Sequence, residues 1–281
     1  KNYVPILDEV YREASRTAVL DGAPELARAG ANAGELIIPK MTMDGLADYA
    51  RASGYVDGNV TLTNETVLCN FDRGRMFTVD ALDDAETAGI AFGRLAGEFI
   101  RTKVAPEVDA FRFASYCGIS GVTKKEETLA DGAATVAALS AAVTAMDDEE
   151  VTATGRYLFI TPTLLQGIND MDTTKSKKVL EGFEQVIKVP QRRFYTAIKQ
   201  LSGKTGEEAG GYTKAAGAAN INFAIVQKDA LIQYTKHAAP KIIAPENNPD
   251  ADAYVFGYRM VGIAKAYKNM LSGMYFSHDK A

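Results

Sequence analysis

The chain has 281 residues, which is enough to bury a substantial core in one large domain or two modest ones. Its formal net charge is −5, and this acidic balance argues against a sequence-reading nucleic-acid module, since such modules present a basic face. No apolar run approaches the roughly 18 residues of a membrane-spanning helix and no secretory signal opens the chain, so we expect production in the cytoplasm and no membrane contact.

Residues 1–34 are expected to form a projecting arm at the amino terminus. Val4 to Leu20 have the pattern of a short amphipathic helix, and the small residues 29–35 (AGANAGE) follow it. Neither segment carries enough large apolar side chains to form a core of its own. The arm therefore needs a surface to lie on.

Residues 35–80 are expected to form a projecting β-ribbon. The apolar residues 36–38 lead into Pro39, which suits the start or the edge of a strand. Asn59 to Asn70 alternate as a strand with one solvated face does, and Asp57-Gly58 is a hairpin-turn signal between the two stretches. Because both faces are polar and an isolated hairpin is marginal in water, the ribbon needs a neighbour.

The longest predicted element is a helix from Asp83 to Gly118, which we call the spine. A turn at residues 72–75 and a short strand from Met76 to Val79 lead into it. Asp83 can cap the first turn with Glu86 in capping-box register, and Gly118 can close the helix in a left-handed conformation. Pro106 lacks an amide hydrogen, so we expect a kink there.

The spine has a predicted apolar face and a predicted polar face. Apolar residues recur at steps of three to five, namely Ala88, Phe92, Leu95, Phe99, Val104, Val108, Phe111 and Ala114. On the opposite face, three pairs stand at spacings that allow ion pairing along the helix surface: Arg94 with Glu98, Glu98 with Arg101, and Asp109 with Arg112.

The rest of the chain predicts mostly short elements. A helix from Leu129 to Met146 has so little charge that it must be buried, most simply against the spine. The further expectations are a strand at 156–161, a one-turn helix at 162–167, short elements at 183–189 and 194–201, a mobile Gly/Ala-rich loop at 202–219, a strand at 221–226, an amphipathic helix at 228–236, a connector at 241–252 and extended structure at 254–276.

The sequence offers no catalytic, cofactor-binding or metal-binding constellation. His237 and His278 have no Cys, His or acidic neighbour at ligand spacing and are expected on the surface. Two cysteines cannot form a disulfide framework, so Cys69 and Cys117 are expected to be buried free thiols. We therefore expect no enzyme and no cofactor.

Weaker motif matches favour ordinary loops. Gly203-Lys204-Thr205 lacks the earlier glycine and the following helix of a phosphate loop. Asn169, Asp170 and Asp172 lack the turn glycine and the distant glutamate of a calcium loop and predict a solvated turn. The acidic segment 245–252 could hold a cation between subunits, but an exposed connector is the stronger interpretation. Asn59 and Asn64 match the glycosylation pattern by spacing only.

The projecting parts are the positive signal. An arm, a ribbon, a long helix and a Gly-rich loop all present surface that a monomer leaves unsatisfied. Proteins of this kind usually bury such parts in copies of themselves.

The sequence also resembles a known family, the major capsid proteins of tailed bacteriophages, whose Hong Kong-type shell fold is shared with encapsulins. The residues that carry the resemblance occur in the expected order: 58–66 (GNVTLTNET), 71–80 (FDRGRMFTVD), 84–86 with 99–101, 106–110 (PEVDA), 155–162 (GRYLFITP), and 252–254 with 257–259. The likeness covers nearly the whole chain, although no single motif is specific.

The resemblance implies an α+β fold with five parts. These are an amino-terminal arm (1–34), an extended loop that reaches over a neighbouring subunit (35–80), a peripheral domain (81–154) with its spine helix at 84–117, an axial domain (155–244) and a return strand of the peripheral domain (245–281). Some family members cross-link a loop lysine to an asparagine of a neighbour. The expected tip, Tyr49 to Thr63, has no lysine, and the nearest before it is Lys40, so we expect non-covalent assembly.

The implied function is that of a structural protein in an icosahedral virion head. Its expected partners are copies of itself in pentamers and hexamers, packaged DNA without sequence-specific contact, and scaffolding, portal and decoration proteins. Two alternatives stay open: an encapsulin-type compartment, which would carry a cargo-docking groove, and an α/β enzyme with a cryptic site near Arg192-Arg193.

Overall fold

The structure, a computed structural model, describes residues 4–22, 28–29, 35–52, 54–82 and 90–280. The described helices are α1 Val4–Ala14, α2 Ile90–Phe99, α3 Ala105–Gly118, α4 Gly132–Asp148, α5 Pro162–Asp170 and α6 Thr174–Glu181. The described strands are β1 Arg28–Ala29, β2 Glu35–Met43, β3 Val60–Leu68, β4 Phe71–Asp80, β5 Thr123–Glu126, β6 Arg156–Ile160, β7 Gln185–Lys188, β8 Ile198–Gln200, β9 Tyr212–Lys214, β10 Ile221–Gln227, β11 Leu231–Ile243, β12 Ala253–Ala266 and β13 Met274–His278. The fold is α+β, as expected.

A five-stranded sheet forms one half of the molecule, with the strand order β5-β13-β10-β6-β7. Both faces of its middle strands are buried, which explains the nearly continuous apolar sequence of β6 and β10. In β6, Phe159 packs towards the spine, whereas Leu158 and Ile160 pack on the other face. The strands predicted at 156–161 and 221–226 and the helix predicted at 162–167 are confirmed.

A three-stranded antiparallel sheet, β11-β12-β4, forms the other half. The helix predicted at 228–236 is wrong: only Lys228–Ala230 form a short 3-10 turn, and β11 follows. The turn predicted at 72–75 is also wrong, because these residues lie inside β4 and pair with β12. In both places long-range pairing with β12 overrides the local propensity.

The spine is confirmed over residues 90–118, while its predicted capping residues Asp83 and Glu86 lie outside the described residues. Between α2 and α3 the backbone forms a π-helical turn, Ile100–Val104, in which the Ala105 amide donates a hydrogen bond to the Ile100 carbonyl oxygen. Pro106 has no amide hydrogen to donate to the Thr102 carbonyl oxygen. The irregularity that we expected as a kink at Pro106 occurs as this π-helical turn. Gly118 does not adopt a left-handed conformation; the spine ends as Ile119 becomes extended.

The spine lies between the two halves, so the second half of this helix has no solvated face. Val108 packs towards the three-stranded sheet, and Phe113 and Tyr116 pack towards the five-stranded sheet. Asp109 and Arg112, predicted to pair on the surface, are instead buried at 0% and 3% exposure. The expected surface pair of Glu98 and Arg101 does form.

Helix α4 is buried, but not in the predicted place. Its apolar residues, including Leu139, pack with Leu165 of α5, Ile168 and the face of the five-stranded sheet that points away from the spine. The expectation that α4 packs against the spine is therefore wrong. The low charge of this helix indicates only that it needs an apolar environment, and both faces of the five-stranded sheet provide one.

Residues 9–22 of the amino-terminal segment are integrated into the subunit rather than projecting. The predicted helix over 4–20 ends at Ala14, and residues 18–20 form a 3-10 turn. Tyr11 and Leu20 are 4% and 1% exposed and belong to the two cores on either side of the spine. The expected projecting arm is thus wrong for residues 9–22.

The five-part division of the chain stays a proposal. Hydrogen bonding joins β12 to β4, as a return strand of the peripheral part requires. By contrast, β13 pairs with β10 in the five-stranded sheet, and α4 packs on that sheet as well. We therefore propose that 129–148 and 274–278 belong with the axial part.

Candidate assembly surface

The β-ribbon is confirmed as an antiparallel pair of β2 and β3, in a register that pairs Met43 with Val60. The predicted two-residue turn at Asp57-Gly58 is wrong: residues 44–59 connect the strands as a longer loop. Pro39 lies inside β2, opposite Asn64, and not at its start. The ribbon therefore ends in a substantial tip, residues 44–59.

The tip carries a small structure of its own. Ala50 and Gly54 exchange backbone hydrogen bonds, and the rings of Tyr49 and Tyr55 lie 4.8 Å apart. Gly54 has a φ of +78°, which a residue with a side chain would adopt only at a cost. A preformed aromatic pair at the end of a ribbon loses little entropy on binding a partner.

The ribbon exposes an unusual number of large apolar side chains. More than half of the surface of each of the following is exposed: Met41, Met43, Leu46, Tyr49, Tyr55, Val56, Val60 and Leu62. Apolar exposure on this scale, concentrated in one ribbon, indicates an interaction surface. The apolar surface, rather than the polar one expected from the sequence, is what makes the ribbon need a neighbour.

The base of the ribbon is fixed to the subunit. Val67 packs with Ile232 and Ile263. The Asn70 side chain exchanges two hydrogen bonds with the backbone of Ala264, both 2.9 Å long. The ribbon is thus anchored at one end and free at the other.

Two arginines of β4 hold the loop at 201–211. Arg73 donates to the carbonyl oxygens of Leu201 at 2.7 Å and Gly211 at 3.2 Å, and it forms an ion pair with Glu107 of the spine at 2.8 Å. Arg75 donates to the carbonyl oxygen of Glu208 at 2.8 Å. The part of the loop that was expected to be mobile is thus tied to β4.

Glycine avoids backbone strain and crowding where the loop passes Arg75. A Cβ at Gly203 or Gly210 would lie 3.1 or 2.9 Å from the guanidinium, and both residues have positive φ.

Burial raises the pKa of Glu107, and the neighbouring Arg73 opposes that rise. Together β4, the spine and this loop enclose a cleft.

This cleft, which we call the spine groove, has a volume of about 1350 Å³. Its apolar lining includes Phe77, Phe99, Tyr195 and Tyr212. Its basic lining consists of Arg73, Arg75, Arg94, Lys103, Arg192 and Lys214, against the acidic residues Asp72, Glu98 and Glu107. The groove is therefore basic on a subunit that is acidic as a whole.

A buried polar cluster fastens the amino-terminal segment to the spine. The Asp109 carboxylate accepts hydrogen bonds from Ser15 Oγ, the Arg16 amide, and the Thr17 amide and Oγ1, at 2.7 to 3.1 Å. It also pairs with Arg193 at 3.0 Å. An ionised carboxylate with this many donors tolerates full burial.

The same cluster reaches β11 through Arg112. The Arg112 guanidinium donates to Thr17 Oγ1 and to Asp21, both at 3.0 Å. Gln233 of β11 donates to the Thr17 carbonyl and accepts from the Tyr116 hydroxyl. Burial raises the pKa of Tyr116, which stays a neutral donor. The arrangement is structural, because it joins segments far apart in sequence.

The remaining candidate residues are dispersed. His237 lies in β11 at a register shift and not after a helix, and His278 ends β13. Cys117 is buried and burial raises its pKa to about 11, whereas Cys69 is only partly buried, so the expectation of two buried thiols holds for one. Among the described residues, no three His, Cys, Asp or Glu side chains converge as metal ligands.

The loops with weak motif matches have ordinary local roles. The solvated turn predicted for Asn169, Asp170 and Asp172 is wrong for the first two, which end helix α5. Asp172 follows the helix, is exposed and pairs with Lys177. The Ser202 amide donates to Glu207, which also pairs with Lys199, and these contacts lower the Glu207 pKa to about 2. Within the described ranges, no helix has the length and hydrophobicity needed to cross a membrane.

Sequence reasoning missed the buried cluster around Asp109 and the arginine clamp, in which Arg73 and Arg75 of β4 hold the loop at 201–211. Asp109, Arg112 and Arg193 look like surface residues, because local spacing says nothing about a second element covering them. The one available signal was Arg73 and Arg75 at alternate positions beside Gly74, a pattern that puts both side chains on one face of a strand.

No family model and no curated protein matches the sequence. Solved structures do match. The capsid structure of the cyanophage P-SCSP1u aligns at 13% identity and a TM-score of 0.57, covering 90% of this chain and 85% of that one. The acid-stable capsid structure of Helicobacter pylori bacteriophage KHP30 aligns at 11% identity and a TM-score of 0.56, covering 95% and 91%.

A third match comes from a cellular organism. The virus-like particle from Pyrococcus furiosus aligns at 10% identity and a TM-score of 0.59, covering 97% of this chain and 96% of that one. At such identities the likeness concerns the fold. Nearly complete coverage of both chains means that the whole architecture is shared, and this chain has the fold of phage capsid proteins, which confirms the Hong Kong-type fold that the resemblance implied.

Proposed function

We propose that this protein is the major structural subunit of an icosahedral phage head and assembles with copies of itself. The observation that carries the proposal is the ribbon, anchored at its base and apolar along its free length, on a subunit with a capsid fold. Left in water, that surface would favour association. A closed shell buries it in every subunit.

The finer parts of the proposal are pentamers and hexamers, a location in the virion, and scaffolding, portal and decoration partners. Many modest contacts per subunit add up to a stable closed assembly. The role is structural and not catalytic. Packaged DNA would lie inside without sequence-specific contact, in keeping with a net charge of −5.

The experiment is a deletion in the ribbon. The intact protein, purified and concentrated, should give shells or capsomer rings by negative-stain electron microscopy. Removal of residues 49–63 should leave a folded subunit, judged by circular dichroism, that no longer closes shells. A monodisperse monomer from the intact chain at high concentration would contradict the proposal and favour the enzyme alternative.

Assembly is proposed to be non-covalent, because residues 44–59 contain no lysine. Particles boiled in detergent should migrate as single chains. A ladder of cross-linked chains would show that another residue supplies a covalent bond.

A cellular compartment is the second candidate function, favoured by the structural match to the virus-like particle from Pyrococcus furiosus. Mass spectrometry and nucleic-acid staining of particles from the native source separate the two. Packaged DNA supports the phage head, and a discrete protein cargo supports the compartment.

A further inference from the structure

We propose that the spine groove receives an extended acidic segment of a different protein, which pairs as a fourth strand with the free edge of β4. This inference rests on the proposed function, since it names the chemistry by which a scaffolding or decoration protein would bind the subunit. Three features support it: the open edge of β4, the course of the groove along that edge, and the charge of the groove walls.

The three-stranded sheet has one protected edge and one open edge. At the protected edge, β11 contains a register shift between Thr235 and His237 and a proline, Pro240, and the Gly22 amide donates to the Gln233 carbonyl oxygen. Bulges and prolines are features that prevent a further strand from pairing. By contrast, β4 pairs with β12 in an unbroken register over ten residues without proline. None of the described strands pairs with the second edge of β4.

The groove runs along this open edge. Residues 71–77 all line the groove, although successive side chains of a strand point to opposite faces of the sheet. A cleft on one face would contact alternate residues, so an uninterrupted run indicates that the cleft follows the edge. At about 3.3 Å per residue, seven residues present an edge of about 23 Å. The groove thus has room for an extended segment of similar length.

The groove walls carry positive charge that the subunit does not neutralise. Each acidic residue of the lining already has an arginine partner: Asp72 with Arg259, Glu98 with Arg101, and Glu107 with Arg73. For Arg75, Lys103 and Arg192, the described part of the chain supplies no ion pair. A concave cleft lined by uncompensated cations concentrates acidic ligands.

The side chains of β4 specify a pattern in the segment. On the face towards the spine, the strand presents Phe71, Arg73, Arg75 and Phe77 at alternate positions. An added strand places one residue opposite each of them on the same face. The complementary order is apolar, acidic, acidic and apolar, again at alternate positions. Charges on an edge strand also discourage pairing with apolar segments, which makes the edge selective.

The segment belongs to a protein other than this chain. Its pattern reads the same in both directions, so it applies to parallel and antiparallel addition alike. No strand that the structure describes here has two acidic residues at alternate positions between two apolar ones. The partner is therefore identified by a free, extended stretch with that pattern.

The first test measures binding of synthetic peptides to the purified full-length protein by fluorescence anisotropy. The probe is a fluorescein-labelled peptide of sequence VTETETV, which carries the pattern. We expect saturable binding that is roughly tenfold weaker for VETTTEV, which has the same composition with both acids on the other face, and for the basic peptide VTKTKTV. Equal binding of the three peptides, or no binding of VTETETV, overturns the proposal.

The second test locates the bound peptide by hydrogen exchange. VTETETV should slow the exchange of backbone amides in residues 71–80, because an added strand covers those that face away from β12. The amides of β11, on the protected edge, are the control and should exchange at an unchanged rate. Protection elsewhere, with unchanged exchange in β4, contradicts strand addition.

The third test reverses charge on the groove walls. The double variant Lys103→Glu, Arg192→Glu should bind VTETETV roughly tenfold more weakly than the parent. The matched control, Lys175→Glu, Lys178→Glu, changes two exposed lysines of α6 and should bind as the parent does. Unchanged binding by the groove variant overturns the proposal.

A comparison of unassembled subunits with particles tests the identity of the occupant. Binding of VTETETV to both supports a separate partner protein. Binding to subunits alone would mean that a neighbouring copy covers the edge in the shell, which overturns the assignment to a different protein. Failure of the unaltered chain to form particles counts against the proposed function, whatever the peptides do.

Discussion

Asp109 and Arg193 form an ion pair of 3.0 Å although they are 84 residues apart, and the Asp109 carboxylate is completely buried. The pair joins the spine to the segment that precedes β8, and the same carboxylate binds residues 15–17. A buried ion pair of this kind adds little stability compared with an apolar pair of similar volume. Removing one partner, however, strongly destabilises the fold, because it leaves the other charge buried and unpaired.

The variant Asp109→Asn should lower the free energy of unfolding by about 3–5 kcal/mol, because it leaves Arg193 buried without its counter-charge. Urea unfolding of the unassembled ribbon-deletion subunit measures the change. The control is Glu98→Gln, which breaks a half-exposed pair with Arg101 and should cost at most about 1 kcal/mol. Equal losses for the two variants would show that the Asp109 cluster has no special role.

The arginine clamp predicts that substitution by alanine has different effects at two glycines with similar φ. Gly210→Ala and Gly217→Ala both place a side chain at positive φ, +63° and +72°, but only the former directs a Cβ at Arg75. Backbone strain costs roughly 1–2 kcal/mol at either site.

Hydrogen exchange of residues 201–211 measures the clamp. It should become faster in Gly210→Ala and in Arg75→Ala, and stay unchanged in Gly217→Ala. Equal exchange in all variants would mean that Arg75 does not hold the loop.

The two cysteines should differ in reactivity. Burial raises the pKa of Cys117 to about 11, so at neutral pH almost none of it is the nucleophilic thiolate, and its side chain is out of reach. In the unassembled subunit, a thiol reagent should label Cys69 at least tenfold faster than Cys117. Mass spectrometry of a time course identifies the labelled residue, and equal rates would contradict the burial of Cys117.

Glu107 should impose a pH dependence on stability. Burial raises the pKa of Glu107 above its ordinary 4.5 in the folded state, so the folded protein binds this proton more tightly than the unfolded chain does. The contribution of Glu107 to stability is then fully present below about pH 4.5 and is lost as the pH rises through the folded pKa.

The variant Glu107→Gln has no such proton to lose. Unfolding free energies measured at several pH values should therefore show the parent losing stability relative to this variant as the pH rises. Parallel curves for the two proteins would mean that Glu107 titrates alike in both states.

Several elements could be predicted from the sequence because their signals are local. The spine, β6 and β10 have apolar patterns long or strong enough to define the element wherever it packs. The ordered set of family-like segments predicted the capsid fold. The ribbon was predicted by two alternating strands, and the register of β2 with β3 confirms it.

The errors have a common cause, which is that pairing and covering by distant segments cannot be read from local spacing. Residues 228–236 have a helical pattern, yet β12 offers a full-length partner and draws them into a strand. Asp109 and Arg112 have the spacing of a surface pair, yet residues 15–21 cover them. The sequence of helix α4 indicates only that the helix is apolar. It does not indicate which face of the five-stranded sheet the helix covers.

The sequence by itself determined the spine, β6, β10 and the ribbon, and that parts of the chain need partners, because hydrophobic periodicity and turn residues act over a few positions. Only the tertiary structure decided that Tyr11 and Leu20 of the amino-terminal segment are buried beside the spine, that β4 holds the Gly-rich loop, and that a basic groove lies beside the spine. These features arise where segments more than ninety residues apart meet. The stability that such contacts contribute depends on burial, which exists only once the chain has folded.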